Sequence, residues 1–353
     1  MSLSIPVVWS ERHRAHEPGA EIWVGVRTPG TEVAERADRI RAELETRGAR
    51  IVAATGHPDS ALLAVHDSAL LEYLAGAWES WQAAGLPEDP GQNRVVPYIF
   101  PGPGWVADPT MAANPTARAG QFAYDTMTLI GPGTWEAARA AADCALTAVD
   151  LVAGDERVVY ACTRPPGHHA ARSCFGGSCY LNNAAIAAAA MFDVADGGRV
   201  AILDIDAHHG NGTQQLFYDD RGVLTGSVHV DPGAGWFPHF LGFETERGTG
   251  LGADANHNIP LAPGSGDDEW LAGVNELASW ATKGGARGLV VALGVDAAGG
   301  DPESPLEVSA EGYADAGRLL SSLNLPTVIV QEGGYNLETI GPLVASFLAA
   351  FET

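Results

Sequence analysis

The 353-residue sequence predicts an α/β protein with a central, mostly parallel sheet and helices on both faces. Two observations carry this. Short, almost wholly apolar runs recur along the chain between longer helix-like segments, as strands buried on both faces do. Several of these runs then end in acids, histidines or Gly-rich turns, and ligands in open α/β sheets gather beyond the carboxyl ends of strands.

In chain order, the N-terminal stretch Met1-Ser2-Leu3-Ser4-Ile5-Pro6-Val7-Val8-Trp9 reads as a first strand. It has no basic n-region and no cleavage-like site, so no signal peptide is expected. Strand-like runs cover 157–161, 199–203, 288–293 and 326–330, and helix-like runs cover 32–46, 134–151, 181–191, 267–282 and 310–322. Thr134 reads as an N-cap, with Glu136 in the first turn. From about 83 to 120 the chain is rich in Pro, Gly and Asn and contains Pro101-Gly102-Pro103-Gly104-Trp105. A loop this long suits a lid or an interface around Trp105, or a Trp packed on the protein body. Neither a repeat nor a linker is visible, so one domain over 1–353 is expected.

Hydrophobic content of 46% is ample for a large core, and no apolar run reaches membrane-spanning length. The net charge of −24 repels nucleic acid and anionic membranes and attracts cations. Cys144, Cys162, Cys174 and Cys179 form no CxxC pair, and Cys144 and Cys162, in apolar contexts, read as buried thiols of a cytoplasmic protein.

The run 199–203 leads into Asp204-Ile205-Asp206-Ala207-His208-His209-Gly210. Alternation along an extended chain puts Asp204, Asp206 and His208 on one side. Mixed oxygen and nitrogen ligands suit Zn²⁺. The run 288–293 ends in Gly294-Val295-Asp296, so Asp296 is a third candidate ligand. Three protein ligands leave a position open, the pattern of a catalytic zinc. After 157–161 comes Arg164-Pro165-Pro166-Gly167-His168-His169. Tandem histidines can divide the jobs of base and acid, each with a partner that fixes its tautomer. Asp204 and Asn211 are the candidate partners. After 326–330 comes Gln331-Glu332-Gly333-Gly334-Tyr335, whose phenol can donate to an oxyanion.

Arg-Pro-Pro-Gly-His-His at 164–169, Asp-Ile-Asp-Ala-His-His-Gly-Asn-Gly-Thr-Gln at 204–214, Leu-Gly-Val-Asp at 293–296 and Glu-Gly-Gly-Tyr at 332–335 resemble the zinc-dependent deacetylase superfamily. That superfamily includes histone deacetylases and acetylpolyamine amidohydrolases. Gly131-Pro132-Gly133-Thr134-Trp135-Glu136, Phe175-Gly176-Gly177-Ser178-Cys179-Tyr180-Leu181-Asn182-Asn183 and Phe237-Pro238-His239-Phe240-Leu241-Gly242 are similar to the bacterial acetylpolyamine branch in particular. The resemblance implies an arginase/deacetylase-like three-layer fold. It implies zinc on Asp206, His208 and Asp296, His169 as general base, His168 as acid beside the leaving amine, and Tyr335 polarising the amide carbonyl. It also implies potassium held by the side chains of Asp204 and Ser227 with carbonyls of Asp206, His208 and Val228. Gly177, Ser178, Trp236 and Phe237 would wall the substrate tunnel, and the long loop would lie at a homodimer interface.

The chain departs from that branch in places. Ala119 stands where the branch has an acid, and a second acid lacks a counterpart near Met127. Ser178 replaces an aromatic wall. Glu303 falls where a polyamine-selective relative has a gatekeeper glutamate. The expected activity is hydrolysis of a small acylated amine. The alternatives are a protein or peptide acyl-lysine deacetylase and a hydrolase of neutral small amides. A two-metal ureohydrolase would need carboxylates at Gly210 and Ala298, which are absent. A non-catalytic binding module would have lost a ligand, a tandem histidine or the tyrosine, and all are present.

Overall fold

The central strands read as continuous apolar runs because period-two alternation divides each of them between two cores. The computed structural model describes residues 3–102, 104, 106 and 110–352. The elements are β1 (Val7–Trp9), β2 (Glu21–Trp23), β3 (Val26–Thr28), α1 (Glu35–Thr46), β4 (Ile51–Ala53), α2 (Ser60–Leu63), α3 (Ser68–Ala83), α4 (Pro115–Phe122), α5 (Thr134–Ala153) and β5 (Val158–Ala161). There follow α6 (Asn183–Ala190), β6 (Arg199–Asp204), α7 (Asn211–Phe217), β7 (Val223–Val230), β8 (Asn256–Leu261), α8 (Asp267–Lys283), β9 (Ala286–Leu293), α9 (Ala310–Ser321), β10 (Thr327–Gln331) and α10 (Ile340–Phe351).

Eight strands form one sheet in the order β4-β1-β5-β10-β9-β6-β7-β8, and every pairing in it is parallel. β2 and β3 make a separate antiparallel hairpin. On β6, Val200 and Ile202 enter a core shared with α3, α5 and α6, while Ala201 and Leu203 enter one shared with α1, α8, α9 and α10. On β10, Val328 and Val330 face the first core and Ile329 the second. Each fully buried Val, Ile or Leu among these is worth roughly 1.5–3 kcal/mol. No helix among the described residues is long and apolar enough to cross a membrane.

Two local expectations are corrected. Thr134 is the first helical residue of α5, and Gly133, in the left-handed region at φ 77°, is the N-cap. The Thr134 hydroxyl instead accepts the Gly131 N–H at 2.9 Å. The Pro/Gly-rich segment also ends earlier than 120. Asn114 caps α4 by accepting the Thr116 N–H, and Pro115 starts the helix, where a missing N–H costs nothing. Trp105 lies outside the described residues.

The order β5-β10-β9-β6 decides the site. These four strands are neighbours, they run the same way, and their carboxyl ends carry the Arg164–His169 turn, the Glu332–Tyr335 turn, Asp296 and the Asp204–His209 turn, respectively.

Candidate active site

Beyond Asp204 the chain leaves β6 and bends, so Asp206 and His208 converge through a turn rather than by extended alternation. Asp206 and Asp296 are fully buried. Donor atoms of Asp206, His208 and Asp296 all lie within 4.8 Å of one another. Backbone groups aim the carboxylates: Gly333 N–H donates to Asp206 Oδ2 (2.7 Å), and Ala207 N–H donates to Asp296 Oδ1 (2.8 Å). A Cβ on Gly333 would sit 2.3 Å from Asp296 Oδ2 and 2.5 Å from Asp206 Oδ2, so only glycine lets the backbone approach. His208 Nδ1 faces Asp206 Oδ1 at 3.3 Å and Asp296 Oδ2 at 3.1 Å. Burial pushes Asp296 up to about 7, reinforced by the charge of Asp206. Two buried carboxylates around one imidazole need positive charge among them. One nitrogen and two oxygen donors fit a divalent ion such as zinc.

The tandem histidines differ sharply. His168 Nδ1–H donates to Asp204 Oδ2 at 2.9 Å. Burial opposes charge on His168, but Asp204 and Asp206 outweigh it and lift the ring to about 10. His169 Nδ1–H donates to Asn211 Oδ1 at 2.7 Å, and burial together with positive His168 and His208 holds it well below its ordinary value. His169 is thus neutral with a free Nε2 lone pair, beside a charged His168. Tyr124 donates to the His169 carbonyl at 3.0 Å, and Phe237 packs edge-on at 4.8 Å.

Glu332 secures the turn from below. Its Oε2 accepts the N–H groups of Gly167 (2.6 Å) and His168 (3.1 Å). Tyr335 lines the pocket, and burial raises its phenol well above the ordinary value, so it stays a neutral donor. The Arg36 guanidinium lies over its ring at 4.5 Å.

Asp204 and Ser227 are direct register partners of β6 and β7. His229 Nε2–H donates to the Gly242 carbonyl at 2.8 Å, so its Nδ1, 2.8 Å from Ser227 Oγ, accepts the hydroxyl proton. That leaves the Ser227 lone pairs available to a cation.

These groups open into a cavity of about 510 Å³ lined by His169, His208 and Tyr335 at its floor. Phe237, Trp236 and the Gly177–Ser178 turn line it as well, and a Cβ on Gly177 would stand 3.0 Å from Phe237 Cε1. Both turn residues are left-handed, at φ 57° and 61°. A Cβ on Gly177 would approach His169 Cδ2 to 2.4 Å. Glu303 lies at the same cavity, its Oε1 accepting from Thr31 Oγ1 at 2.8 Å. Ala119 is buried and does not line the cavity, whereas Met127 does.

Sequence reading missed Glu21, which also lines the cavity. Burial and the charge of Glu303 raise it to about 7. Nothing distinguished it among 44 acidic residues. It missed Tyr124, Arg36, Thr31 and Asp301 for the same reason, since each meets the site only through distant pairing.

The sequence profile of the histone deacetylase domain matches residues 31–351. The chain belongs to the histone deacetylase family. As a family member it is a deacetylase-type hydrolase acting on amide bonds. It is 39% identical over 346 residues to acetylpolyamine amidohydrolase 1 of Pseudomonas aeruginosa, covering 98% of each chain. It is 37% identical over 346 residues to acetylpolyamine amidohydrolase of Mycoplana ramosa, covering 97% of this chain and 98% of that one. The crystal structure of acetylpolyamine aminohydrolase from Burkholderia pseudomallei matches with a TM-score of 0.93 at 36% identity, over 99% of each chain. The family fold, with its central parallel sheet and helices on both faces, is therefore the fold of this chain.

Proposed function

We propose that this chain is a single-domain, zinc-dependent amidohydrolase of the cytoplasm that removes acetyl or another small acyl group from a small acylated amine such as an acetylpolyamine. The observation that carries the reading is the meeting of a three-donor cluster, a neutral His169 and the Tyr335 phenol at the floor of one cavity. Asp206, His208 and Asp296 would hold the zinc. When bound, zinc supplies a Lewis acid that acidifies water and polarises a carbonyl.

The chain's own groups account for the remaining steps. His169 Nε2 takes the proton of the attacking water as its oxygen bonds to the acyl carbon. Tyr335 O–H donates to the carbonyl oxygen as negative charge gathers there. Charged His168 gives a proton to the amine nitrogen as the C–N bond breaks. The remaining proton of the new acid passes to the amine to release a carboxylate and an ammonium, and the proton taken by His169 then restores His168. Asn211 and Asp204 keep the two rings in those tautomers. Potassium on Asp204 and Ser227, with carbonyls of Asp206, His208 and Val228, would lie behind the Asp204–His168 pair.

A cationic substrate is supported by Glu21 and Glu303 at one cavity and by the net charge of −24, which also disfavours nucleic acid and anionic membranes. A homodimer is supported by Val24 and Phe240, 81% and 87% exposed on one apolar groove with Phe100. That groove, about 710 Å³, shares Trp23, Met127 and Phe237 with the cavity. It favours a second reading, in which an acyl-lysine peptide or a neutral amide lays an apolar extension there. Assays of the zinc-loaded protein on acetylated diamines, acyl-lysine peptides and neutral acetyl amides separate the two. The highest kcat/KM is expected on the small cationic amines, and a clear preference for peptides or neutral amides would overturn the first reading.

A further inference from the structure

Asp301 lies five positions after Asp296 and is 7% exposed. Its two oxygens serve two separate segments. Oδ2 accepts the backbone N–H groups of Tyr335 (2.7 Å) and Asn336 (3.1 Å), and Oδ1 accepts that of Glu303 (3.0 Å). The Asn336 amide returns the contact by donating to the Gly300 carbonyl at 3.2 Å. The Asp301 N–H is itself anchored on the Ala298 carbonyl at 3.1 Å. The turn after β9 and the turn after β10 are thus joined through one carboxylate. Tyr335 sits on a Gly333-Gly334 hinge with Gly334 at φ 117°, so the chain before it has little stiffness of its own. The Arg36 guanidinium limits the ring from one face and donates to the Gly334 and Glu332 carbonyls at 2.5 and 2.6 Å, while Asp301 holds the backbone N–H of Tyr335 itself and of Asn336.

We propose that Asp301 is a positioning residue that fixes the height of the Tyr335 phenol and the station of Glu303 at once. The inference rests on the roles given above to Tyr335 and Glu303. A carboxylate that accepts three N–H groups has a geometry a carboxamide cannot copy, because the amide NH₂ has no lone pair to offer. In Asp301→Asn, one of the two segments faces a donor instead of an acceptor. A phenol displaced by about 1 Å loses much of its effect on the developing oxyanion.

The test is a double-mutant cycle on the zinc-loaded enzyme, with metal content measured for every variant. Asp301→Asn should lower kcat roughly 10- to 100-fold while zinc stays bound. In the Tyr335→Phe background the same change should cost less than about three-fold, because the group it positions is gone. The ratio of kcat/KM between a cationic and a neutral acetyl amide should also fall in Asp301→Asn, and should not move further when Glu303→Gln is already present. An equal loss in both backgrounds would mean a merely structural carboxylate and would overturn the proposal. If Tyr335→Phe alone retains near-wild-type turnover, the role of Tyr335 fails instead, and the two failures are distinct. Should Asp301→Asn not fold, hydrogen exchange on the wild-type protein decides: slow amide exchange at Tyr335 and Asn336 supports the clamp, and fast exchange there refutes it.

Discussion

His168 and His169 are adjacent in sequence, with ring centroids 4.0 Å apart, yet their surroundings drive them to opposite charge states. Asp204 faces the first and the neutral Asn211 amide the second. The charges of Asp204 and Asp206 hold His168 protonated, whereas burial and the neighbouring His168 and His208 charges keep His169 neutral.

His169→Ala and Tyr335→Phe should each reduce turnover by about two to four decades while zinc remains bound. Steady-state kinetics together with metal analysis read this directly. Near-wild-type turnover of either variant on a good substrate would remove it from its role.

Asp206→Ala should lose metal and activity together, because it removes one of three donors and leaves Asp296 without its counterpart. A chelator should abolish wild-type turnover, and one equivalent of Zn²⁺ per chain should restore it. Zinc at about 100 times its Kd should also add about 2.7 kcal/mol to the stability of wild type. Elemental analysis showing two catalytically required metals would contradict the single-ion site.

Glu21 stands at about 7 in the folded chain, raised by burial and Glu303 above the ordinary Glu value. Its stabilising contribution is full below about pH 4, where the unfolded chain is also protonated, and is lost as pH rises through about 7. Glu21→Gln should therefore flatten part of the decline in thermal stability between about pH 4 and about pH 7. The same titration adds negative charge where a distal ammonium would sit. KM for a cationic substrate should fall roughly two- to five-fold between about pH 6 and about pH 8, as folded Glu21 ionises, and this fall should vanish in Glu21→Gln.

Glu303→Gln should lower selectivity for a cationic over a neutral acetyl amide of equal length. A charge-assisted hydrogen bond of roughly 1.5–3 kcal/mol corresponds to about one to two decades in the ratio of catalytic efficiencies. An unchanged ratio would direct the search for substrate to neutral amides.

Light scattering at micromolar concentration should give a dimer for wild type, with Val24→Asp or Phe240→Asp shifted toward monomer. A monomeric wild type would remove the apolar groove from consideration as an interface between copies.

The sequence by itself carried the fold class, since runs such as 200–203 and 328–330 are apolar at consecutive positions and only a sheet covered on both faces buries them so. It also carried the histidines, carboxylates and tyrosine at the cavity floor, because each belongs to a short motif directly following such a run. Local chemistry was less legible where a neighbour overrode it: Thr134 does not cap α5, because left-handed Gly133 occupies that position. Only the tertiary structure brought Thr31 to Glu303, 272 residues apart, and Glu21 to the same cavity. Only it placed Asp301 between Glu303 and Tyr335. Periodicity reports which face of an element is buried, whereas these meetings depend on which strands lie side by side. The order β5-β10-β9-β6 arises from packing the whole sheet, and no local stretch of the chain contains it.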